Sequence, residues 1–171
     1  MKRFMQRSGL VAAWLLVVVV MLLAVQGHER TLNEGQLVLL RLAPVDPRSL
    51  MQGDYMALRF TADSDLAQHI EDILEFADAP SYAYLAVDNE GRATLDAVGG
   101  EPKAAPGRIS MRIRSTDGEP SVGPNAFFFQ EGTGELYETA QWGGFRVAPD
   151  GTALLVSLHD ATLQRVGIQR R

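Results

Sequence analysis

Three rhythms of apolar and polar positions divide the chain. Gly9 to Val25 (GLVAAWLLVVVVMLLAV) has no rhythm at all, because 17 residues pass without a charge or a strongly polar side chain. At about 1.5 Å rise per residue such a run makes roughly 25 Å of helix, just enough to cross the hydrocarbon layer of a membrane. The stretch 27–35 is polar and reads as a short tether. From Gln36 the period shortens. Gln36 to Leu42 (QLVLLRL) predicts a strand, and Pro44 and Pro47 then make a turn-rich corner. Asp54 to Ala62 alternates loosely, Tyr55, Ala57 and Arg59 against Met56, Leu58 and Phe60, and predicts a strand with one face buried.

Between Asp65 and Phe76 the spacing turns helical through Leu66, Ile70, Ile73 and Leu74, with Asp63 or Ser64 to cap the start and Asp78-Ala79-Pro80 to end it. Ser81 to Val87 and Arg92 to Val98 are β-rich runs on either side of a hairpin signal, Asp88-Asn89-Glu90-Gly91. A Gly/Pro-rich loop covers 99–107. Arg108 to Ser115 alternates cleanly and points Ile109, Met111 and Ile113 inward. Asn125 to Gln130 supplies an aromatic strand, NAFFFQ. Its consecutive phenylalanines predict burial on both faces, whereas an exposed Phe128 marks an interaction patch. Glu131 to Trp142 predicts a short helix. Phe145 to Ala148 and Thr152 to Leu158 form a second hairpin around Pro149-Asp150-Gly151, and Leu163 to Ile168 closes the domain. About eight strands and two helices in irregular order predict an α+β fold. In words, this is a mostly antiparallel β domain with two short helices, preceded by one N-terminal transmembrane helix. The expected organisation is a basic tail over 1–8, a membrane segment over 9–26, the tether over 27–35 and one domain over 36–171.

Charge adds direction to this picture. Lys2, Arg3 and Arg7 precede the apolar run, so the positive-inside rule places the N-terminus in the cytoplasm and everything after Val25 across the inner (plasma) membrane, in the periplasm or its equivalent. A cleaved signal peptide is the rival reading, since Val25-Gln26-Gly27 offers a small-x-small site, and either route exports the domain. The rest of the chain holds 13 basic against 21 acidic residues, a net of −8. That balance excludes a nucleic-acid partner, because duplex affinity rests largely on Lys and Arg neutralising phosphates. Cysteine is absent, which rules out disulfides, thiolate catalysis, cysteine metal ligands and a lipoprotein anchor.

The corner after the first strand reads Pro44-Val45-Asp46-Pro47-Arg48-Ser49-Leu50-Met51-Gln52-Gly53-Asp54-Tyr55-Met56-Ala57-Leu58-Arg59-Phe60. It resembles the signature of the bacterial GDYXXLXY protein family: Gly53, Asp54, Tyr55 and Leu58 match the name-giving motif, and Phe60 replaces its final Tyr. A second stretch is also similar, Phe128-Phe129-Gln130-Glu131-Gly132 with Tyr137-Glu138, Ala140, Phe145-Arg146-Val147 and Asp150-Gly151. Gln141-Trp142-Gly143-Gly144 departs from the Arg-Tyr-Gly-Glu run expected there. The resemblance spans nearly the whole chain. It implies a membrane-anchored protein of a family without an established activity, some of whose members are encoded beside multi-pass membrane proteins, and it brings no catalytic residues.

Two functions from different classes follow. One is an accessory or binding protein whose polar motif patch, Asp46, Arg48, Gly53, Asp54 and Tyr55, contacts a partner, with Phe129, Gln130, Glu131 and Gly132 as a second motif; ordered loops often hold such residues. As plain architecture the same patch is a corner that sets strand register. The other is an envelope hydrolase using carboxylates such as Asp54, Glu131 and Asp160. A Ser/Lys peptidase is ruled out at the residue level. Val45 stands where its serine would be, and the only lysines are Lys2 and Lys103. No cofactor and no metal are expected. His28, His69 and His159 lie outside ligand spacing, and Gly132-Thr133-Gly134 lacks the lysine of a phosphate loop.

Overall fold

No proline precedes Pro44, and the helix that starts the chain has nothing to stop it before Gly35. In the computed structural model, which describes residues 2–43, 55–74, 79–103, 105–116 and 118–167, α1 (Lys2–Glu34) continues for 33 residues. It passes without a break through the stretch whose polarity suggests a tether. Local bonds explain the difference: the Thr31 hydroxyl donates to Gly27 O, a His28 ring N–H to Ala24 O, and Arg30 pairs with Glu34 one turn on. From Trp14 to Val25 every large apolar side chain except Val18 stands exposed. The segment Trp14–Glu34 is long and apolar enough to cross a membrane.

The helix ends against the domain. Gly35 N donates to Thr31 O, Thr31 is buried, and the Arg146 guanidinium donates to Gly35 O at 2.8 Å. A Cβ on Gly35 would stand 2.4 Å from Thr31 O and 3.1 Å from Val147 N, so only glycine fits this junction.

β1 (Gln36–Arg41) follows at once and takes the middle of a seven-stranded sheet. On one side it pairs antiparallel with β9 (Trp142–Val147), which continues to β10 (Ala153–His159) and β11 (Arg165–Val166). On the other it meets β4 (Arg92–Gly99) in the sheet's one parallel pairing, followed by β3 (Tyr82–Val87) and β5 (Arg108–Arg112). The fold is therefore α+β with a mostly antiparallel sheet. The two hairpins fall where the turn signals predict them, with Gly91 and Gly151 both at positive φ. The sheet curls until its ends touch: Arg112 N donates to Gly151 O, and the Arg114 side chain to Ala153 O.

Elsewhere the chain departs from its pattern in detail. The alternating run 108–115 breaks at Ile113 into β5 and β6 (Arg114–Thr116), which pairs with β7 (Glu119–Ser121), a strand with no apolar signal of its own. The run 54–62 yields only β2 (Tyr55–Ala57), because α2 (Thr61–Leu74) starts early. Asp63 explains that start. It sits inside the first turn, and its carboxylate reaches back to Phe60 N at 3.1 Å, half of a capping box. Its other oxygen accepts from the Ser121 hydroxyl and Val122 N, which ties α2 to the loop after β7. The core gathers Val38, Leu40, Phe60, Leu66, Leu85, Met111, Phe145 and Leu158, all at most 1% exposed.

Candidate functional site

The two motif-bearing segments, about 70 residues apart in sequence, lie side by side. β2 pairs antiparallel with β8 (Ala126–Phe128) in the register Tyr55 to Phe128, Met56 to Phe127 and Ala57 to Ala126. Leu58 N extends the ribbon by donating to Asn125 O. The far end of β1 holds its other side, through a bridge from Leu42 to Phe60 and a bond from Ala43 N to Arg59 O.

Strand alternation decides which phenylalanines show. Phe127 and Phe129 point the same way and clasp Tyr137, with ring centroids 5.3 and 5.2 Å away, while Phe128 turns out and is 71% exposed. Its neighbour is Tyr55, 5.8 Å between ring centres. Burial on both faces is thus not what this strand achieves; its middle ring forms a surface patch instead.

Beside the ribbon lies a cavity of about 240 Å³ lined by Arg41, Met56, Leu58, Arg59, Glu138 and Gln141, among others. Met56 and Leu58 make a buried apolar floor; Arg41, Arg59 and Glu138 are exposed at the rim. Arg41 lies 5.9 Å over the Trp142 ring. Among the described residues neither arginine forms a salt bridge, whereas Arg30, Arg92, Arg108 and Arg112 each do. The site therefore offers two positive groups in a domain that is otherwise acidic.

Of the motif residues, Tyr55 belongs to the ribbon, while Asp46, Arg48, Gly53 and Asp54 lie outside the described residues. Phe129 is half-buried on Tyr137. Gln130 gives its carbonyl to the amide and hydroxyl of Thr133, Glu131 is exposed, and Gly132 turns the chain at φ 76°. The helix expected over 131–142 shrinks to one 3-10 turn, Gly134–Tyr137, because that left-handed glycine and the Thr133 bond hold the chain in a loop. Glu131, Glu135 and Glu138 consequently share no α-helical face. Asp160 is occupied by its own turn. The Thr162 hydroxyl, with the amides of Gln164 and Thr162, holds its carboxyl below the ordinary carboxylate range. Neither Glu131 nor Asp160 lines the cavity.

One pairing of catalytic residue types does occur, at Ser157 and His159. The ring donates from Nδ1 to Leu163 O and, when neutral, accepts at Nε2 from the Ser157 hydroxyl, both at 2.9 Å. Both residues are buried, at 5% and 8% exposure, and neither lines the cavity, so the pair is a structural hydrogen bond. Among the described residues no cluster of His, Asp or Glu could hold a metal. Of the cavity's charged residues, Glu138 belongs to the second motif stretch, whereas Arg41 and Arg59 were not among the expected site residues. For both arginines a signal existed: each interrupts an apolar strand pattern at its end, where a charge has no reason to be inside.

A family model described as GDYXXLXY protein matches residues 17–158. Neither a curated protein nor a solved structure matches the chain.

Proposed function

The chain belongs to the GDYXXLXY protein family, and from that premise we propose that it is a membrane-anchored binding protein that docks a multi-pass membrane partner through the face where its two motif segments meet. α1 holds it in the inner membrane with the N-terminus in the cytoplasm and the domain in the periplasm. Lys2, Arg3 and Arg7 ahead of the apolar run support that orientation. Tethering confines both partners to one surface and raises their effective concentration, so a small interface suffices.

The observation that carries the reading is Phe128. A phenylalanine 71% exposed beside Tyr55, on the ribbon that flanks a cavity rimmed by Arg41 and Arg59, joins an aromatic anchor to two arginines. Aromatic and arginine side chains dominate binding energy at protein interfaces. Purification in mild detergent from the native membrane is expected to recover a stoichiometric multi-pass protein, and Phe128→Ala combined with Arg59→Ala is expected to release it. Equal recovery with the double variant would sink the reading.

A further inference from the structure

The structure assigns a second surface, at the opposite end of the domain, to the bilayer itself: we infer that the β9–β10 turn and the loop before β5 form a foot resting in the lipid headgroup layer. This rests on the anchoring proposed above. Topology supplies the first argument. β1 leaves α1 and runs away from it; β9 is antiparallel to β1 and pairs Val147 with Gln36, so the turn after Val147 must project back past the start of β1 toward the helix. The projection is observed. A cavity of about 420 Å³ is lined by Gly27 and Thr31 of α1 on one side and by Ala148, Pro149 and Asp150 on the other.

Length supplies the second argument. A hydrocarbon layer of ~30 Å takes ~20 residues of helix, which counted from Ser8 ends at Gly27. Glu34 stands seven residues farther along α1, or ~10 Å, while the headgroups of one leaflet occupy ~5–8 Å. A turn that shares a cavity with Gly27 is therefore at headgroup depth. The turn does not stand alone, because a neighbouring cavity of about 460 Å³ is shared by Lys103, Ala105 and Pro106 with Ala148 and Pro149.

Surface chemistry agrees with this placement. The projecting tips, Ala105, Pro106 and Pro149, are exposed and carry no charge, and Lys103 beside them offers a cation to phosphate. Two carboxylates at this end are paired, Glu34 with Arg30 and Asp150 with Arg112, which lowers the repulsion that a net acidic domain would otherwise meet.

The absence of cysteine makes the test clean, since one introduced thiol takes one label. Full-length Pro149→Cys and Pro106→Cys, labelled with a fluorophore, are reconstituted into phosphatidylcholine vesicles containing lipid with a nitroxide on its headgroup. Thr139→Cys, beside the cavity at the far end of β1, serves as control, and Val19→Cys is read with an acyl-chain nitroxide. Quenching several-fold stronger at 149 and 106 than at 139 is the expected result. Equal quenching at all three, with the label at 19 quenched from the acyl chains, overturns the foot and leaves the anchor standing. No acyl-chain quenching at 19 overturns both.

Discussion

At Asp63 two effects on one carboxyl oppose each other, and their balance sets a pH dependence. Burial pushes its pKa up, and the bonds from Val122 N, Phe60 N and the Ser121 hydroxyl only partly offset that. The folded chain therefore holds this proton more tightly than the unfolded chain does. Stability from this group is present below the ordinary carboxylate range and declines as pH rises through the raised folded value. Asp63→Asn removes the decline and loses the bond from Phe60 N, about 1 kcal/mol. In urea unfolding across pH 4 to neutral, a range of ~3 units, the variant should gain on the wild type as pH rises; parallel profiles would refute this. Asp150 behaves oppositely. The Thr152 amide is the largest of the influences holding its carboxyl low, so its contribution is lost as pH falls. Single residues also explain the family departure. Gly144 stands where Glu is expected, and a Cβ there would meet Ser157 Oγ at 2.5 Å and His159 Nε2 at 2.9 Å. The buried Ser157–His159 pair fills the space an acidic side chain would need. Nothing local in the sequence announces that exchange, since residues 144 and 157 meet only across the β9–β10 ladder.

Elements were legible where their pattern was long and their ends were punctuated. β1, β3, β4, β9 and β10 sit within a few residues of the runs that predict them. Errors gathered where side-chain bonds override pattern: Asp63 drew the start of α2 back to Thr61, Gly132 and Thr133 kept 131–142 from coiling, and the Thr31 and Arg30 bonds carried α1 through polar residues. Such bonds depend on neighbours that periodicity does not see. The junction of α1 with the sheet is the element-scale feature most open to test. Gly35→Ala places a methyl group against backbone on two sides and is expected to cost about 1–3 kcal/mol, as overpacking does. The measurable signs are a lower melting temperature and new proteolysis near Thr31. An unchanged melt with intact 27–35 would show that the helix end is not clamped.

For the whole molecule, β1 is the axis that separates two surfaces. Its first residue follows α1 and shares a cavity with the β9–β10 turn; its last lines the cavity beside the β2–β8 ribbon. The motif pairing was half legible. Both segments stood out, but their contact required β8 to find β2 across about 70 residues, and no spacing rule supplies that. Because the apolar run Gly9 to Val25 spans 17 residues, longer than the roughly 7–15 of a cleaved signal's apolar region, the segment 9–25 is expected to stay on the mature protein. Mass spectrometry of membrane fractions should find peptides covering Gly9 to Val25. A mature chain beginning near His28 would contradict it.

The continuous helix has a mechanical consequence. A domain on a slack cord forgets how its anchor leans, but a domain on a stiff mast does not. In the anchoring proposed above, some 10 Å of helix above the hydrocarbon and about 20 Å of β1 would make an arm of ~30 Å, and a lean of ~20° would swing its tip by ~10 Å. Bilayer thickness would then govern that lean. The reach of Phe128 across the membrane surface would then be set, in part, by the lipids around the mast.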